Sequence, residues 1–373
     1  MGGFSMPHRI SLAASLSCLV TATFVWAIDP NLAKRLSPQE IQAGWLLLFD
    51  GESAFGWQGD GDVAVNGGRL IIGGNKPSRI TSTTAWADGE LHAQYQLIGT
   101  SAQLRIGNVG IPLAADVALD GLYNLQVTMT GGKPTAWRIT DPKMQQRTGS
   151  LPPADVPATA SISFSVADNH QLVLHTVKFR PAGLKPIFNG KNLDGWKEIP
   201  GKKSKFTVTQ KGELNIQDGP GDIQTVDQWD DFVLQLEIFS HGKHLNSGVF
   251  FRCIPGEFWS GYEAQVRNQW QGEDRSKPVD FGTGGLYNRQ PARRVVSDDN
   301  EWFTMTVLAQ GRHIAIWVNG YQTVDFTDTR PPNNNARQGA KLGPGPISLQ
   351  GHDPTTNLSF RNIRLAELPK AKP

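Results

Sequence analysis

The chain has 373 residues, enough for two domains of ordinary size, each with its own hydrophobic core. Lys and Arg number 36 against 34 Asp and Glu. Without a run of like charge, this balance excludes the basic surface by which proteins bind nucleic acids or anionic membranes. The 11 Trp residues favour an uncharged partner, because a flat ring with a polar edge suits both a β-sandwich core and the face of a sugar ring.

The first 27 residues are typical of a signal peptide. A basic start precedes an apolar run at residues 10–26, and we predict cleavage after residue 27. The run is slightly short for an uncleaved anchor, and no basic stop-transfer segment follows it. We therefore expect an exported protein, periplasmic or extracellular, with no membrane span after signal removal. Cys253 is then the sole cysteine, so no intrachain disulfide can form.

One motif occurs twice in the rest of the chain. The pattern F-[DN]-G-x4-G-W is found at residues 49–57 and again at residues 188–196, with identical internal spacing. A Gly turn and a short apolar strand follow each copy. Chance explains this agreement poorly, so we interpret the two halves as related modules. With a boundary near residues 181–183, the domains are expected at 28–180 and 184–368.

Strand patterns fill both modules. Residues 232–238, 303–308 and 313–318 alternate between apolar and polar side chains, which indicates sheets with one buried face. Asn319-Gly320 predicts a type I′ hairpin turn. No segment of comparable length has a 3.6-residue apolar period, and 40 Gly with 24 Pro supply turns. The sequence therefore predicts an all-β protein of two antiparallel β-sandwiches in tandem.

Short motifs follow one another in the second module. They are I-F-N-G at 187–190 with G-W at 195–196, N-S-G-V-F-F-R at 246–252, G-Y-E-A-Q-V at 261–266, G-L-Y at 285–287, E-W at 301–302, W-V-N-G at 317–320, G-P-I-S-L-Q-G-H at 345–352 and F-R-N-I at 360–363. In this order, residues 186–368 resemble the 3-keto-disaccharide hydrolase family. The resemblance implies concanavalin- or laminin-G-like jelly-roll sandwiches. Residues 45–180 lack most of these motifs and are interpreted as a degenerate copy with a structural or sugar-holding role.

The resemblance also implies a reaction, the cleavage of a 3-keto-glycoside by elimination and hydration. A ketone at C3 makes the C2 proton acidic, so a base can remove it and the enolate can expel the C1 oxygen. Water addition then completes a net hydrolysis. Such a site needs a base, a donor for the enolate oxygen and an acid for the leaving group. The expected partner is a small oxidised saccharide or glycoside.

Three residues are the catalytic candidates. Glu263 is the candidate base, and strand periodicity places it on one face with Gln265. Arg252 could bind the enolate oxygen, or could form a structural ion pair with Glu263 that lowers the pKa of that base. His352 follows a short apolar strand and is the candidate acid, tuned by Asp353 or Glu263.

Neutral polar side chains are the candidate ligands for sugar hydroxyls, because they bind without the desolvation cost of a charge. These are Asn246, Ser247, Gln265, Tyr287 and Gln350, with Trp259 and Trp270 as candidates for stacking on a sugar face. A divalent cation held by Glu263, His352 and Asp280 could stabilise an enolate. No ligand spacing of the H-x-x-x-H or multi-Cys kind supports a metal, so no cofactor is required by the sequence.

Two other functions stay open at this stage. A lectin-like, non-catalytic carbohydrate-binding protein of the cell envelope would keep its sugar affinity when Glu263 becomes Gln, and would never turn over substrate. A conventional glycosidase on the same fold would be expected to show acidic residues at alternate positions of one strand. No such strand occurs, so we rank the glycosidase last.

Overall fold

The computed structural model describes residues 1–2, 35–113, 121–152 and 158–369. The predicted signal peptide lies outside these ranges except for its first two residues, and export stays a prediction. Within the described ranges, no helix has the length and apolar character needed to cross a membrane. Regular structure there is β-strand, as predicted, apart from the short helix α1 (Pro38–Gln42).

The first sandwich consists of two antiparallel sheets. Its strands are β1 (Leu46–Phe49), β2 (Trp57–Asp60), β3 (Val63–Asn66), β4 (Arg69–Gly73), β5 (Ser78–Trp86), β6 (Gly89–Ile98), β7 (Ala102–Ile106), β8 (Val109–Pro112), β9 (Tyr123–Thr130), β10 (Lys133–Thr140), β11 (Gln146–Ser150), β12 (Ala160–Val166) and β13 (Gln171–Pro181). One sheet has the order β11-β10-β9-β6-β13-β4-β3, with β1 also on β13, and the other has the order β2-β5-β12-β7-β8.

The second sandwich repeats this topology. Its strands are β14 (Lys185–Pro186), β15 (Trp196–Glu198), β16 (Lys205–Val208), β17 (Leu214–Gln217), β18 (Gly221–Thr225), β19 (Phe232–Ser240), β20 (Ser247–Phe251), β21 (Tyr262–Val266), β22 (Trp270–Gln271), β23 (Asp274–Pro278), β24 (Trp302–Gln310), β25 (His313–Val318), β26 (Tyr321–Thr327), β27 (Ser348–Gly351) and β28 (Asn357–Glu367). The orders are β26-β25-β24-β19-β28-β17-β16, with β14 also on β28, and β15-β18-β27-β20-β21. Strand for strand they match the first sandwich, apart from the added ribbon β22–β23.

The hairpin turn between β25 and β26 connects the two sandwiches. Asn319 and Gly320 both have positive φ, 48° and 76°, as the predicted type I′ turn requires. A Cβ on Gly320 would lie 2.7 Å from the carbonyl oxygen of Trp45. The Gly320 carbonyl also accepts a hydrogen bond from the Leu47 N–H at 2.8 Å. The turn therefore docks against the segment that leads into β1.

Part of the outer face of the eight-stranded sheet in the second sandwich is apolar, and the first sandwich covers this part. Val233, Leu308 and Ala315 form a row across β19, β24 and β25, and each packs into the core of the first sandwich. Trp317 lies beside them, 1% exposed, with its ring centroid 5.6 Å from that of Trp86. The second sandwich therefore depends on the first to keep this face out of water.

Trp317→Ala tests this shared interface. The substitution removes a buried indole and its hydrogen bond to the Leu47 carbonyl, so we expect the free energy of unfolding to fall by about 3–5 kcal/mol. Calorimetry should show both sandwiches unfolding together at a lower temperature. Trp270→Ala is the matched control, because that indole lies in neither core and its loss should cost far less. If calorimetry shows two separate transitions and the substitution lowers the temperature of only one of them, the shared interface is contradicted.

Candidate functional site

The five-stranded sheet of the second sandwich has a polar outer face that is nevertheless buried. On β21, Tyr262 and Ala264 face the core, while Glu263 and Gln265 face outward. Strands β27 and β18, which lie beyond β20 in the same sheet, add polar groups in register. The set comprises Asp222 and Gln224 of β18, Ser348 and Gln350 of β27, and Glu263 and Gln265 of β21, each at most 4% exposed. Buried polar atoms are stable only when a partner or ligand satisfies them, which makes this face a candidate binding site.

Loops close over this face and leave a cavity of about 230 Å³. This is smaller than the roughly 300–1,000 Å³ of sites for drug-sized ligands, and suits a ligand the size of one sugar ring. The cavity is lined by Pro220, Asn246, Phe258, Trp259, Glu263, Gln265, Asp280, Tyr287, Gln350 and His352.

Glu263 is the most strongly perturbed acid in the cavity. Its side chain is 4% exposed, and Arg337 Nη2 donates to its Oε2 at 2.8 Å. Burial raises the pKa of Glu263 to about 7, although the ion pair with Arg337 opposes the rise. Gly248, on the adjacent strand, makes room for the carboxyl, since a Cβ there would lie 2.7 Å from Glu263 Oε1. The carboxyl can therefore gain or lose a proton near neutral pH.

Arg337 joins the floor of the cavity to its rim. Its Cζ lies 4.1 Å from the centroid of Trp259, 5.3 Å from that of Phe250 and 5.4 Å from that of Tyr287. Its Nε is buried and has no protein partner. The sequence did not single out Arg337, because it lies in the Pro- and Asn-rich loop before β27, which carries no motif. The available signal was indirect: a buried carboxylate needs a cation.

The amide side chains leave acceptors free for a ligand. Asn246 Nδ2 and Gln265 Nε2 each donate to Asp280 Oδ2 at 3.2 Å. Asn246 Oδ1 and Gln350 Oε1 are buried without a protein partner. Free buried acceptors favour a ligand rich in hydroxyl donors. Asp280 was predicted only as a metal ligand, and the structure shows it holding the two amides.

His352 lies at the cavity's exposed end, with 42% of its side chain exposed. Its Nδ1 is 2.9 Å from Asp353 Oδ2. A hydrogen bond from Nδ1 to this carboxylate would fix the ring and leave Nε2 for a ligand. Of the other predicted binding residues, Trp259 and Tyr287 also line the cavity.

The structure places Arg252 outside the site, which corrects its assignment as a catalytic residue. Alternation would place it beside Phe250, but β20 ends at Phe251 and Arg252 has a φ of 50°, so its side chain leaves the strand pattern. The side chain is 0% exposed and pairs with Asp231 at 2.9 Å, not with Glu263. Its guanidinium also donates to three backbone carbonyls. Arg252 therefore holds loops together.

Ser247 is also corrected. It lies on the core face of β20, 0% exposed, and its Oγ donates to the Gln350 carbonyl at 2.7 Å. It thus joins β20 to β27 and does not line the cavity. Trp270 likewise lies elsewhere, stacked on Arg275 at 4.1 Å. The direction of the Ser247 side chain follows from strand alternation, because Val249 and Phe251 on the same face lie in the core.

Asp222 is a buried acid that the sequence did not reveal. It is 1% exposed, burial raises its pKa to about 6, and its Oδ2 accepts the backbone N–H of Trp259 at 2.9 Å. In the sequence, only its position in a short strand, now β18, could have indicated that it is buried. Among the residues that the structure describes, no three His, Cys, Asp or Glu side chains are arranged to hold a metal ion.

Comparison with known proteins identifies the second domain. The family model for the 3-keto-alpha-glucoside-1,2-lyase-like domain matches residues 183–366, and this domain belongs to that family. No curated protein matches the chain.

Solved structures similar to the chain include two provisionally assigned glycosyl hydrolases from Parabacteroides distasonis ATCC 8503. One is 21% identical, with 50% of this chain and 94% of that chain covered and a TM-score of 0.42. The other is 24% identical, with 50% and 100% covered and a TM-score of 0.40. The carbohydrate-binding module CBM66 from Bacillus subtilis is 17% identical, with 45% and 93% covered and a TM-score of 0.34.

The pKa of Glu263 predicts a pH dependence of stability. Because this pKa is raised from 4.5 to about 7 on folding, the folded state binds the proton more tightly than the unfolded chain. The resulting stabilisation is fully present below about pH 4.5 and is lost as the pH rises through about 7. Relative to Glu263→Gln, the wild-type free energy of unfolding should fall across this window, as measured by urea denaturation. A difference that does not change with pH would contradict the raised pKa.

Proposed function

We propose that the second domain cleaves the glycosidic bond of 3-keto-glycosides by elimination followed by hydration. The observation that carries the proposal is the buried Glu263 carboxyl, whose pKa is about 7 and which is held by Arg337 in a cavity of sugar-ring size. A general base works best when its pKa lies near the operating pH. The family match to 3-keto-alpha-glucoside-1,2-lyase-like domains supports this chemistry.

The first step moves a proton from C2 of the sugar to Glu263. The electron pair of the C2–H bond forms a C2=C3 double bond, and the ketone oxygen becomes an enolate. Arg337 takes the role predicted for Arg252. Once Glu263 is protonated, the neighbouring guanidinium is no longer neutralised by it, and its positive charge stabilises the enolate oxygen.

The second step breaks the bond between C1 and the leaving oxygen. The enolate electrons restore the C3 ketone and form a C1=C2 double bond, while His352 gives a proton to the departing oxygen. The alcohol leaves at this step, and addition of water across C1=C2, with the proton on Glu263 returning to C2, then yields the free 3-keto sugar. The oxidation state of C3 is unchanged throughout, so a separate dehydrogenase must supply the ketone.

The floor of the cavity selects for hydroxyl groups. Asn246 Oδ1 and Gln350 Oε1 can accept hydrogen bonds from sugar hydroxyls, since neither has a protein partner. Asp280 keeps the Asn246 and Gln265 amides in place. A neutral sugar satisfies such groups without the cost of burying another charge.

The test is incubation of the protein with methyl 3-keto-α-glucoside and with its unoxidised parent, followed by mass spectrometry. We expect only the keto sugar to be cleaved, because the parent lacks the carbonyl that acidifies C2. Glu263→Gln keeps the shape but removes the base, so turnover should fall by roughly 10²–10⁴ with little change in binding. Exchange of the C2 hydrogen with deuterated water should fall with it.

The other outcomes identify the competing functions. Cleavage of both sugars at similar rates would indicate a conventional glycosidase. Binding by wild type and Glu263→Gln without cleavage by either would indicate a lectin-like protein. If His352 is the acid, His352→Gln should slow poor leaving groups most, and a nitrophenyl leaving group should largely restore turnover. If instead the nitrophenyl leaving group restores turnover in Glu263→Gln, and His352→Gln loses C2 exchange, the two roles are reversed.

A further inference from the structure

The cavity has an apolar rim next to its polar floor. Pro220, Phe258 and Trp259 line one side, and none of them carries an amide or hydroxyl side chain. His352 lines the same cavity as the rim, and the residue before Pro220 packs against its backbone, since a Cβ on Gly219 would lie 2.7 Å from the His352 carbonyl carbon. In the proposed reaction His352 protonates the leaving oxygen, so this is the side on which the leaving group departs.

Trp259 is exposed at the rim yet firmly held. Its relative exposure is 47%, which is unusual for an indole. Its backbone has a φ of 56°, a left-handed conformation that is unfavourable for a bulky residue. The buried Asp222 carboxylate stabilises that conformation by accepting the Trp259 N–H, and Arg337 stacks on the ring at 4.1 Å. The fold thus strains the backbone to present an aromatic surface, a combination typical of functional sites.

Phe258 adds a second ring of the same kind. It is partly buried beside Trp259, and Lys202 Nζ lies 4.0 Å from its ring centroid. Both rings therefore have a cation close to them. The cavity of about 230 Å³ has room for one ring on its floor, so a leaving group with a second ring has to lie outside the floor, and the rim residues are the apolar surface next to it.

We propose that Pro220, Phe258 and Trp259 form a subsite for a planar aromatic leaving group. The inference rests on the proposed function and names its substrate class as 3-keto-glycosides of aromatic alcohols. The contrast between floor and rim favours an aromatic group over a second sugar. Either kind of ring can stack on Trp259, but the three rim side chains offer a sugar's hydroxyls one donor, the Trp259 indole N–H, and no acceptor, whereas an aryl ring loses only apolar surface.

The experiment compares two 3-keto-glucosides with leaving alcohols of similar acidity, phenyl and hexafluoroisopropyl, so that stacking is separated from leaving-group ability. For each, kcat/KM is measured with wild type, Trp259→Ala and Trp259→Phe. We expect Trp259→Ala to lower the phenyl-to-hexafluoroisopropyl ratio of kcat/KM roughly tenfold, mainly through KM, and Trp259→Phe to restore most of it. Trp270→Ala, which removes an Arg-stacked indole outside the cavity, should leave the ratio unchanged.

The remaining outcomes each overturn the inference. Equal losses for both substrates in Trp259→Ala would mean that Trp259 acts only through Arg337, and the aromatic subsite would be wrong while the proposed function survives. If wild type prefers a 3-keto disaccharide to the phenyl substrate, and Trp259→Ala loses this preference, the leaving group that the rim binds is a sugar. If wild type cleaves no 3-keto-glucoside, the methyl glycoside included, the proposed function and this inference both fail.

Discussion

A buried carboxylate needs a compensating cation, and the site is built around the one that Arg337 supplies to Glu263. Burial raises the pKa of Glu263, and the guanidinium limits the rise, so the carboxyl titrates near neutrality. Without Arg337 the pKa of Glu263 would rise further, so less of the base form would be present near neutral pH. The stack on Trp259 and the Asp222 bond to the Trp259 backbone fix where that guanidinium lies. Rim, cation and base are thus one connected set of contacts.

The two sandwiches share a topology, but their corresponding sheets have different roles. In the second, the eight-stranded sheet docks on the first sandwich, which leaves the five-stranded sheet to carry the polar face. In the first, β8 is the counterpart of β21, and its outward positions are Gly110 and Pro112, paired with Arg105 and Gln103 of β7. It therefore has no carboxyl on the strand that carries Glu263 in the second. The first sandwich stabilises the second by covering the apolar part of the outer face of its eight-stranded sheet.

Strand alternation was sufficient to predict that Glu263 and Gln265 share a face, because the periodicity of a strand is a local property. It failed for Arg252, because the strand ends one residue earlier, and a single left-handed residue redirects the side chain. Arg337 lies in an irregular loop, where no periodicity links sequence to position. The interdomain face had a signal that our interpretation of residues 313–318 as an alternating strand missed: after His313 they are all apolar, as in a strand buried on both sides.

The central claim is that Glu263, tuned by Arg337, removes the proton from C2. The most direct measurement follows C2 deuterium exchange by NMR in 1,5-anhydro-3-ketoglucitol, which has a C3 ketone but no leaving group at C1. Wild type should exchange this hydrogen without cleavage, at a rate that rises with pH around a midpoint of about 7. In Arg337→Met the midpoint should move upward, because the charge that lowers the Glu263 pKa is gone. No exchange, or a midpoint that does not move in Arg337→Met, would contradict the account.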